Sequence, residues 1–228
     1  MIAVIVPVLN RPHRAALVNA SIHTNTTLPH RTLFVCTEND NDQIRACIET
    51  LGPDDEILFI DAGQTGEYAR KINHAYRSCD ERLVFLAADD LEFQPGWDVE
   101  AVKVMDATGA GVVGTNDLSN GQVIAGLHST HSLVRRGYID ACGGVVGQPG
   151  VVLFDGYSHQ QVDNELVQTA MARGCYAHAH DAVVQHVHPL YDRTVQRDAT
   201  YVKGQAKGFE DRRLFESRRH LWLNEVRV

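Results

Sequence analysis

Leu83-Val84-Phe85-Leu86-Ala87-Ala88-Asp89-Asp90-Leu91-Glu92-Phe93-Gln94-Pro95-Gly96-Trp97-Asp98 is the stretch whose reading decides the fold. An apolar run of strand length ends in two adjacent carboxylates, and a Pro-Gly turn follows. A buried strand that delivers Asp89 and Asp90 to a sheet edge brings like charges together. A cation or a displaced pKa must relieve that repulsion. Hard carboxylate oxygens suit Mg²⁺ or Mn²⁺. The same dipeptide also serves as an ordinary strand end, with one side chain capping the next turn. Alone it does not choose between these uses.

Upstream, residues 2–6 form a β-branched run of the kind buried on both faces of a parallel sheet. The loop Pro7-Val8-Leu9-Asn10-Arg11-Pro12 follows, and 13–24 carries a helical stripe of Ala16, Leu17 and Ala20. Strands at 31–36 and 56–60 alternate with helices at 43–51 and 66–79, and 83–87 is the fourth strand. Strand-helix alternation implies a parallel sheet with right-handed crossovers. Ligands of such sheets bind at the carboxyl ends of the strands. The loops holding Asn10-Arg11, Glu38-Asn39, Asp61 and Asp89-Asp90 should therefore converge on one edge. Downstream, the pattern predicts helices at 97–108 and 163–173, the latter closed by Gly174 at C′. Short strands are expected at 111–114 and from 182, and a charged helix from Tyr191 to Val228. The expected organisation is one α/β domain over 1–190, a mostly parallel central sheet flanked by helices, with a helical C-terminal extension over 191–228 packed on it.

The chain of 228 residues carries a formal net charge of −8, which argues against a general electrostatic nucleic-acid binder with a basic face. Its five cysteines lie far apart without C-x-x-C spacing, as in a reducing compartment. No apolar run approaches the roughly 20 residues of a membrane helix. Residues 1–6 lack the basic start of a signal peptide. A soluble, cytoplasmic product is expected. There is no G-x-G-x-x-G after the first strand, no Walker A sequence and no G-x-S-x-G elbow.

These residues together resemble glycosyltransferases of the GT-A fold, and among them the large inverting family 2. Val4-Ile5-Val6-Pro7-Val8-Leu9-Asn10-Arg11-Pro12 is similar to that family's opening strand and nucleotide-contacting loop. Asp89-Asp90 stands where its acidic metal motif stands, followed by Pro-Gly-Trp. Leu133-Val134-Arg135-Arg136 with Gly143-Gly144 resembles its acceptor-side segment, and Val162-Asp163-Asn164-Glu165-Leu166 its helix bearing the catalytic acid. The resemblance covers about residues 1 to 190 and extends to small stand-alone transferases of bacteriophage genomes. Two departures stand out. The second strand ends in Thr37-Glu38-Asn39-Asp40 rather than a carboxylate pair before Gly-Ser, and the usual Glu-Asp is Val162-Asp163.

The resemblance implies a nucleotide-sugar donor, most simply a UDP-sugar, and Mn²⁺ or Mg²⁺ held by Asp90 with His186 and His188. Pro7, Leu9, Asn10, Arg11, Glu38, Asn39, Asp61 and Asp89 would contact the donor, with Lys71 or Arg70 near its diphosphate. Asp163 would take the proton from the acceptor hydroxyl, with Glu165 in reserve. The competing use of Asp163 is as an N-cap. A zinc site from His178, His180, His186 and His188 is disfavoured, since no cysteine lies at ligand spacing. His128 and His131 are candidate acceptor contacts or loop hydrogen-bonders. The acceptor would be a protein side chain, a small glycoside or a modified nucleobase, and the C-terminal helix a lid or a self-association surface. Two other classes remain open: a nucleotidyltransferase on a related sheet, and a non-catalytic nucleotide- or sugar-binding protein.

Overall fold

The computed structural model describes residues 1–63 and 66–225. Strand β1 (Ile2–Pro7) is buried at every position, as its β-branched run requires. It pairs in parallel with β2 (His30–Thr37) on one side and β4 (Leu83–Leu86) on the other, and β2 pairs in parallel with β3 (Glu56–Ile60). The connections are helices α1 (Pro12–Asn25), α2 (Asn41–Ile48) and α3 (Glu67–Ser78). Pro12 opens α1 at N1, where its missing N–H costs nothing.

The carboxylates at the end of β4 are followed at once by β5 (Leu91–Phe93), a three-residue strand that the sequence reading left inside a loop. Helix α4 (Trp97–Thr108) and β6 (Val112–Asn116) come next, then the single turn α5 (Gly121–Ile124), β7 (Ser132–Arg135) and α6 (Arg136–Cys142). Helix α7 (Val162–Ala172) leads to β8 (Tyr176–His186). The sheet runs β3-β2-β1-β4-β7-β6-β8-β5. Four of its seven neighbour pairs are parallel, and those made by β7 and by β5 are antiparallel. The two short elements thus turn the simple alternation into a mixed sheet.

Apolar clusters cover both faces. One joins α1 and α4 to the sheet around Phe85, Phe93 and Trp97, whose ring centroids lie 4.5 to 5.6 Å apart. Trp97 is fully buried and its indole N–H donates to Thr26 Oγ1 at 3.0 Å. The other places α3, α6 and α7 against Ala3, Ile5, Val84 and Val134.

Two expectations need correction. The strand anticipated from residue 182 begins at Tyr176, because the alternating Ala177, Ala179 and histidines of β8 lack the β-branched signal that marks β1. Residues 191–198 are not helical. Asp192 Oδ1 accepts the Thr194 N–H at 2.8 Å, a local bond that competes with helix formation. The helix starts only at Asp198, which caps α8 (Ala199–Ala206) by accepting the Tyr201 N–H at 3.0 Å. Helix α9 (Gly208–Leu223) follows, and the last expected helical residues, 226–228, lie outside the described residues. Both helices pack on the body of the domain. Asp211 of α9 accepts the N–H groups of Ser158, His159 and Gln160 at 2.7, 2.9 and 2.8 Å, which pins the segment leading into α7.

Candidate active site

The acidic pair sits at the junction of β4 and β5, and register decides what faces it. Leu91 pairs with His186, and the Val187 N–H donates to the Asp90 carbonyl at 2.9 Å. This antiparallel pairing brings His186 Nε2 to 3.5 Å from Asp90 Oδ1. From the opposite side, Arg11 reaches in from the N-terminus of α1. Its Nη1 donates to Asp89 Oδ1 at 2.9 Å and lies 3.5 Å from Asp90 Oδ2. The Tyr201 hydroxyl donates to Asp90 Oδ2 at 3.0 Å, and the Arg11 guanidinium stacks 3.8 Å above the Tyr201 ring. Asp90 Oδ2 is thereby occupied, while Oδ1 faces the imidazole.

Burial raises both carboxylates, but their neighbours separate them. His186, Arg11 and His131 outweigh the burial of Asp90 and hold it ionised, below the usual carboxylate range. Burial, then the charge of Asp90, pushes Asp89 upward against the pull of Arg11. His186 rises above the ordinary imidazole value, because Asp90 overcomes the effect of burial. His131 donates Nδ1–H to the Leu86 carbonyl at 3.0 Å, and burial followed by the charge of His186 lowers it to about 4.

This cluster forms one wall of a cavity of about 670 Å³ at the carboxyl edge of β1 and β4. Pro7, Leu9, Arg11, Lys71, Asp89, Asp90, Asp163, His186 and His188 all line it, as do His128 and His131. The carboxyl-edge convergence read from strand-helix alternation therefore holds for β1 and β4. The loop after β3 reaches the cavity through Gly63 rather than Asp61, and the loop after β2 does not line it. Asn10, Glu38, Asn39 and Asp61 are exposed and absent from the lining. Asn10 adopts a left-handed φ of 53° and gives its N–H to Asp40 Oδ2 at 2.9 Å. Glu38 extends the β2–β3 ladder through its N–H to the Ile60 carbonyl at 2.8 Å.

Asp163 stands in the first turn of α7, one residue past the first helical position, with Gln161 as the cap. It is thus not the N-cap. Its Oδ1 accepts the Asn164 N–H at 2.9 Å, and its Oδ2 lies 3.2 Å from His128 Nε2. Burial raises its pKa, but the His128 bond and charge bring it below the ordinary value. Glu165 points elsewhere. It is 1 % exposed, accepts from the Tyr157 hydroxyl at 2.6 Å and takes two bonds of 2.7 and 2.8 Å from Arg218 of α9. Both its oxygens are committed to the core, which speaks against its use as the reserve base.

Lys71 is 1 % exposed, and its ammonium donates to the Val8 carbonyl at 2.5 Å and pairs with Glu67 at 2.9 Å. Burial lowers its pKa against the pull of Glu67. His188 borders the cavity, but its Nδ1 accepts the Leu190 N–H at 3.1 Å and its ring stands edge-on to Tyr201. Arg70 is not in the lining. Sequence reasoning missed Tyr201, Tyr68, Glu67 and Lys203, which also line the cavity. For Tyr201 and Lys203 the one linear signal was Asp198, the residue that caps α8. Among the described residues, no three His, Cys, Asp or Glu side chains group closely enough to hold a metal ion by themselves.

A mixed sheet of this order with a cavity at its carboxyl edge has that cavity where open α/β sheets bind their ligands. Residues 3–149 match the model of glycosyl transferase family 2, so the chain belongs to that family. No curated protein sequence matches it. Among solved structures it is similar to glucosyl-3-phosphoglycerate synthase from Mycobacterium tuberculosis in complex with Mn²⁺, UDP-glucose and phosphoglyceric acid. The TM-score is 0.66 at 13% identity, over 97% of this chain and 80% of that one. It is also similar to the mannosyltransferase PcManGT from Pyrobaculum calidifontis in complex with GDP-Man and Mn²⁺. There the TM-score is 0.59 at 18% identity, over 82% of this chain and 56% of that one. The chain thus spans little more than half the length of the mannosyltransferase. At these identities the likeness is one of fold.

Proposed function

We propose that the chain is a metal-dependent, inverting glycosyltransferase that moves a sugar from a nucleotide-sugar, UDP-linked in the first instance, to an acceptor hydroxyl. The observation that supports this most is that Asp90, His186 and Asp163 border one cavity of about 670 Å³. The solved relatives bound to UDP-glucose or GDP-mannose with Mn²⁺ support the donor class.

Asp90 Oδ1 and His186 Nε2 are the residues that would hold the ion. The hard carboxylate oxygen suits either Mn²⁺ or Mg²⁺, ions that keep most positions for water and phosphate oxygens, and the imidazole nitrogen favours the softer Mn²⁺ of the two. When bound, such an ion neutralises charge on the departing diphosphate as a Lewis acid.

The chain's own groups do the rest. Pro7 and Leu9 offer an apolar wall to the nucleoside, and Asp89 a carboxylate to the ribose or donor sugar. Arg11 and the Lys71 ammonium supply positive charge beside the diphosphate. Asp163 accepts the proton of the acceptor hydroxyl as that oxygen bonds to the anomeric carbon. In the same displacement the bond from that carbon to the phosphate oxygen breaks, and its electron pair leaves with the nucleoside diphosphate. The proposed acceptor is a protein side chain or a small glycoside.

Thermal melts with nucleotide-sugars, with and without Mn²⁺, test the proposal. Donor at 100 times its Kd contributes about 2.7 kcal/mol, which raises the melting temperature by about 5–10 °C. Asp163→Asn should keep that shift and lose turnover. If no nucleotide gives a Mn²⁺-dependent shift, the donor assignment fails; pyrophosphate release from a nucleoside triphosphate would point to nucleotidyl transfer instead.

A further inference from the structure

We infer that His128 is a positioning residue for Asp163, holding the carboxylate in register for proton abstraction; the inference rests on the transfer reaction proposed above. The two side chains come from distant parts of the chain and meet on the cavity wall, Nε2 to Oδ2 at 3.2 Å.

The geometry decides which member of the pair meets the acceptor. The Asp163 side chain is 25% exposed and that of His128 only 11%. His128 Nδ1 is buried without a hydrogen-bond partner. It has no access to an incoming hydroxyl, so His128 does not serve as the base with Asp163 behind it. A proton on Nδ1 would be an unsatisfied buried donor, whereas a proton on Nε2 is used. The pair is therefore Nε2–H donating to Oδ2, with the Asn164 N–H on Oδ1. Two bonds, one to each oxygen, fix the plane of the carboxylate.

His128 is itself braced. The Tyr176 hydroxyl of β8 donates to its carbonyl at 3.1 Å, and Thr130, two residues on, donates to Asp117 Oδ2 at 3.1 Å. A carboxylate held through a ring on a braced backbone is pre-organised, so little reorientation remains when the acceptor arrives. In the step itself the acceptor O–H proton passes to Asp163. His128 keeps its Nε2 proton throughout.

Protonation of His128 controls the base. Burial lowers its pKa, but the bond and charge of Asp163, with Asp117, raise it above the ordinary imidazole value. The other titratable groups facing Asp163 are His131, His159, His186, Tyr68 and Tyr191. Below the His128 pKa the imidazolium withdraws charge from Asp163 and weakens it as a base. Above it, the neutral ring orients the carboxylate and leaves its basicity higher. The acid limb of kcat should thus lie above the carboxylate range.

Two variants with saturating Mn²⁺ and donor test this. His128→Leu should lower kcat by about 10- to 100-fold, the range for outer partners that orient a reacting group, with donor Kd unchanged. His128→Gln can still donate to Oδ2 but does not titrate. It should recover most of the rate at pH 8 and move the acid limb down into the carboxylate range. A kcat in His128→Leu within twofold of the parent, or an acid limb unmoved in His128→Gln, overturns the inference. A separate measurement needs no turnover. The ¹⁵N titration of the His128 imidazole should shift to lower pKa in Asp163→Asn. An unchanged titration refutes the pairing. If the parent transfers sugar from no nucleotide donor, the glycosyltransferase reading fails, and this titration alone upholds or refutes the pairing.

Discussion

Arg11 and Asp198 meet through two hydrogen bonds, Nε to Oδ2 at 2.8 Å and Nη2 to Oδ1 at 3.1 Å, although 187 residues separate them. The pair ties the loop after β1 to the start of α8. It also turns the guanidinium so that its third nitrogen faces Asp89 and Asp90. Asp198 is at once the partner of Arg11 and the N-cap of α8. Asp198→Ala removes both roles, and the cap alone contributes about 1 kcal/mol. The expected outcome is a melting temperature about 2–4 °C lower and weaker donor binding, because Tyr201 loses its anchor. Melts and donor titration check this; an unchanged melting temperature would show that α8 is held elsewhere.

Arg11→Met leaves the buried acidic pair without its nearest cation. Removal of one partner from a buried charge cluster costs about 3–5 kcal/mol. The variant should therefore unfold at lower denaturant, and Mn²⁺ alone should stabilise it more than it stabilises the parent. Urea titrations with and without Mn²⁺ decide the matter. Equal Mn²⁺ effects in the two proteins would mean that Arg11 and the ion do not share the same charge.

Glu165 and Asp163, two residues apart, should behave oppositely. Glu165→Ala leaves the buried Tyr157 hydroxyl and the partly buried Arg218 guanidinium without their acceptor and should cost about 1–3 kcal/mol. Asp163→Asn should melt close to the parent and lose at least 100-fold in kcat, the usual share of a general base. A Glu165→Ala protein that folds normally yet fails to turn over would restore Glu165 as the base.

A pH effect on stability should come from Asp55. Its carboxylate, fully buried, accepts the N–H groups of Gly52 and Thr32 at 2.7 and 2.8 Å, with His23 Nε2 and Asn19 Nδ2 at 2.8 and 3.0 Å. Burial raises its pKa, but these bonds bring it below the ordinary value. A lowered folded-state pKa means that the stabilisation is complete above about pH 4, the unfolded carboxylate value, and is lost as pH falls through the folded one. Asp55→Asn should flatten the acid side of the stability–pH curve below about pH 4, the unfolded carboxylate value. A curve parallel to that of the parent would assign the acid sensitivity to other groups.

How far the site was legible differs from element to element. β1, β2, β4, α4 and α7 announce themselves because their apolar period matches their burial, and a local pattern carries that information. β5, with three residues, is too short to show a period. β8 is built partly of alanine and histidine, which signal no strand. The acidic pair stood out as two carboxylates closing an apolar run, whereas Asp163, an ordinary residue type for a helix start, was singled out only by its resemblance to the family's catalytic segment. Glu165 and Lys71 looked alike as charges on helices. Only their partners, Arg218 of α9 and the Val8 carbonyl, separate a core ion pair from a cavity-lining ammonium.

By itself the sequence determined the alternating α/β plan, the carboxylates at the end of the fourth strand and the acid at the start of α7. The first two rest on hydrophobic periodicity and residue chemistry within a few positions, and the third on the resemblance of Val162-Asp163-Asn164-Glu165-Leu166 to the family's segment. What only the tertiary structure decided is which groups share a wall with Asp90. His186 arrives through the register of β5 on β8, Tyr201 through the cap at Asp198, and Arg11 through a turn held by Asp40 and Gln43. Such meetings depend on antiparallel register and helix docking between segments about 100 to 190 residues apart, as the Asp90–Tyr201 and Arg11–Asp198 bonds are. Neither register nor docking leaves a local mark, because the energy that selects them is the burial and pairing of both partners together.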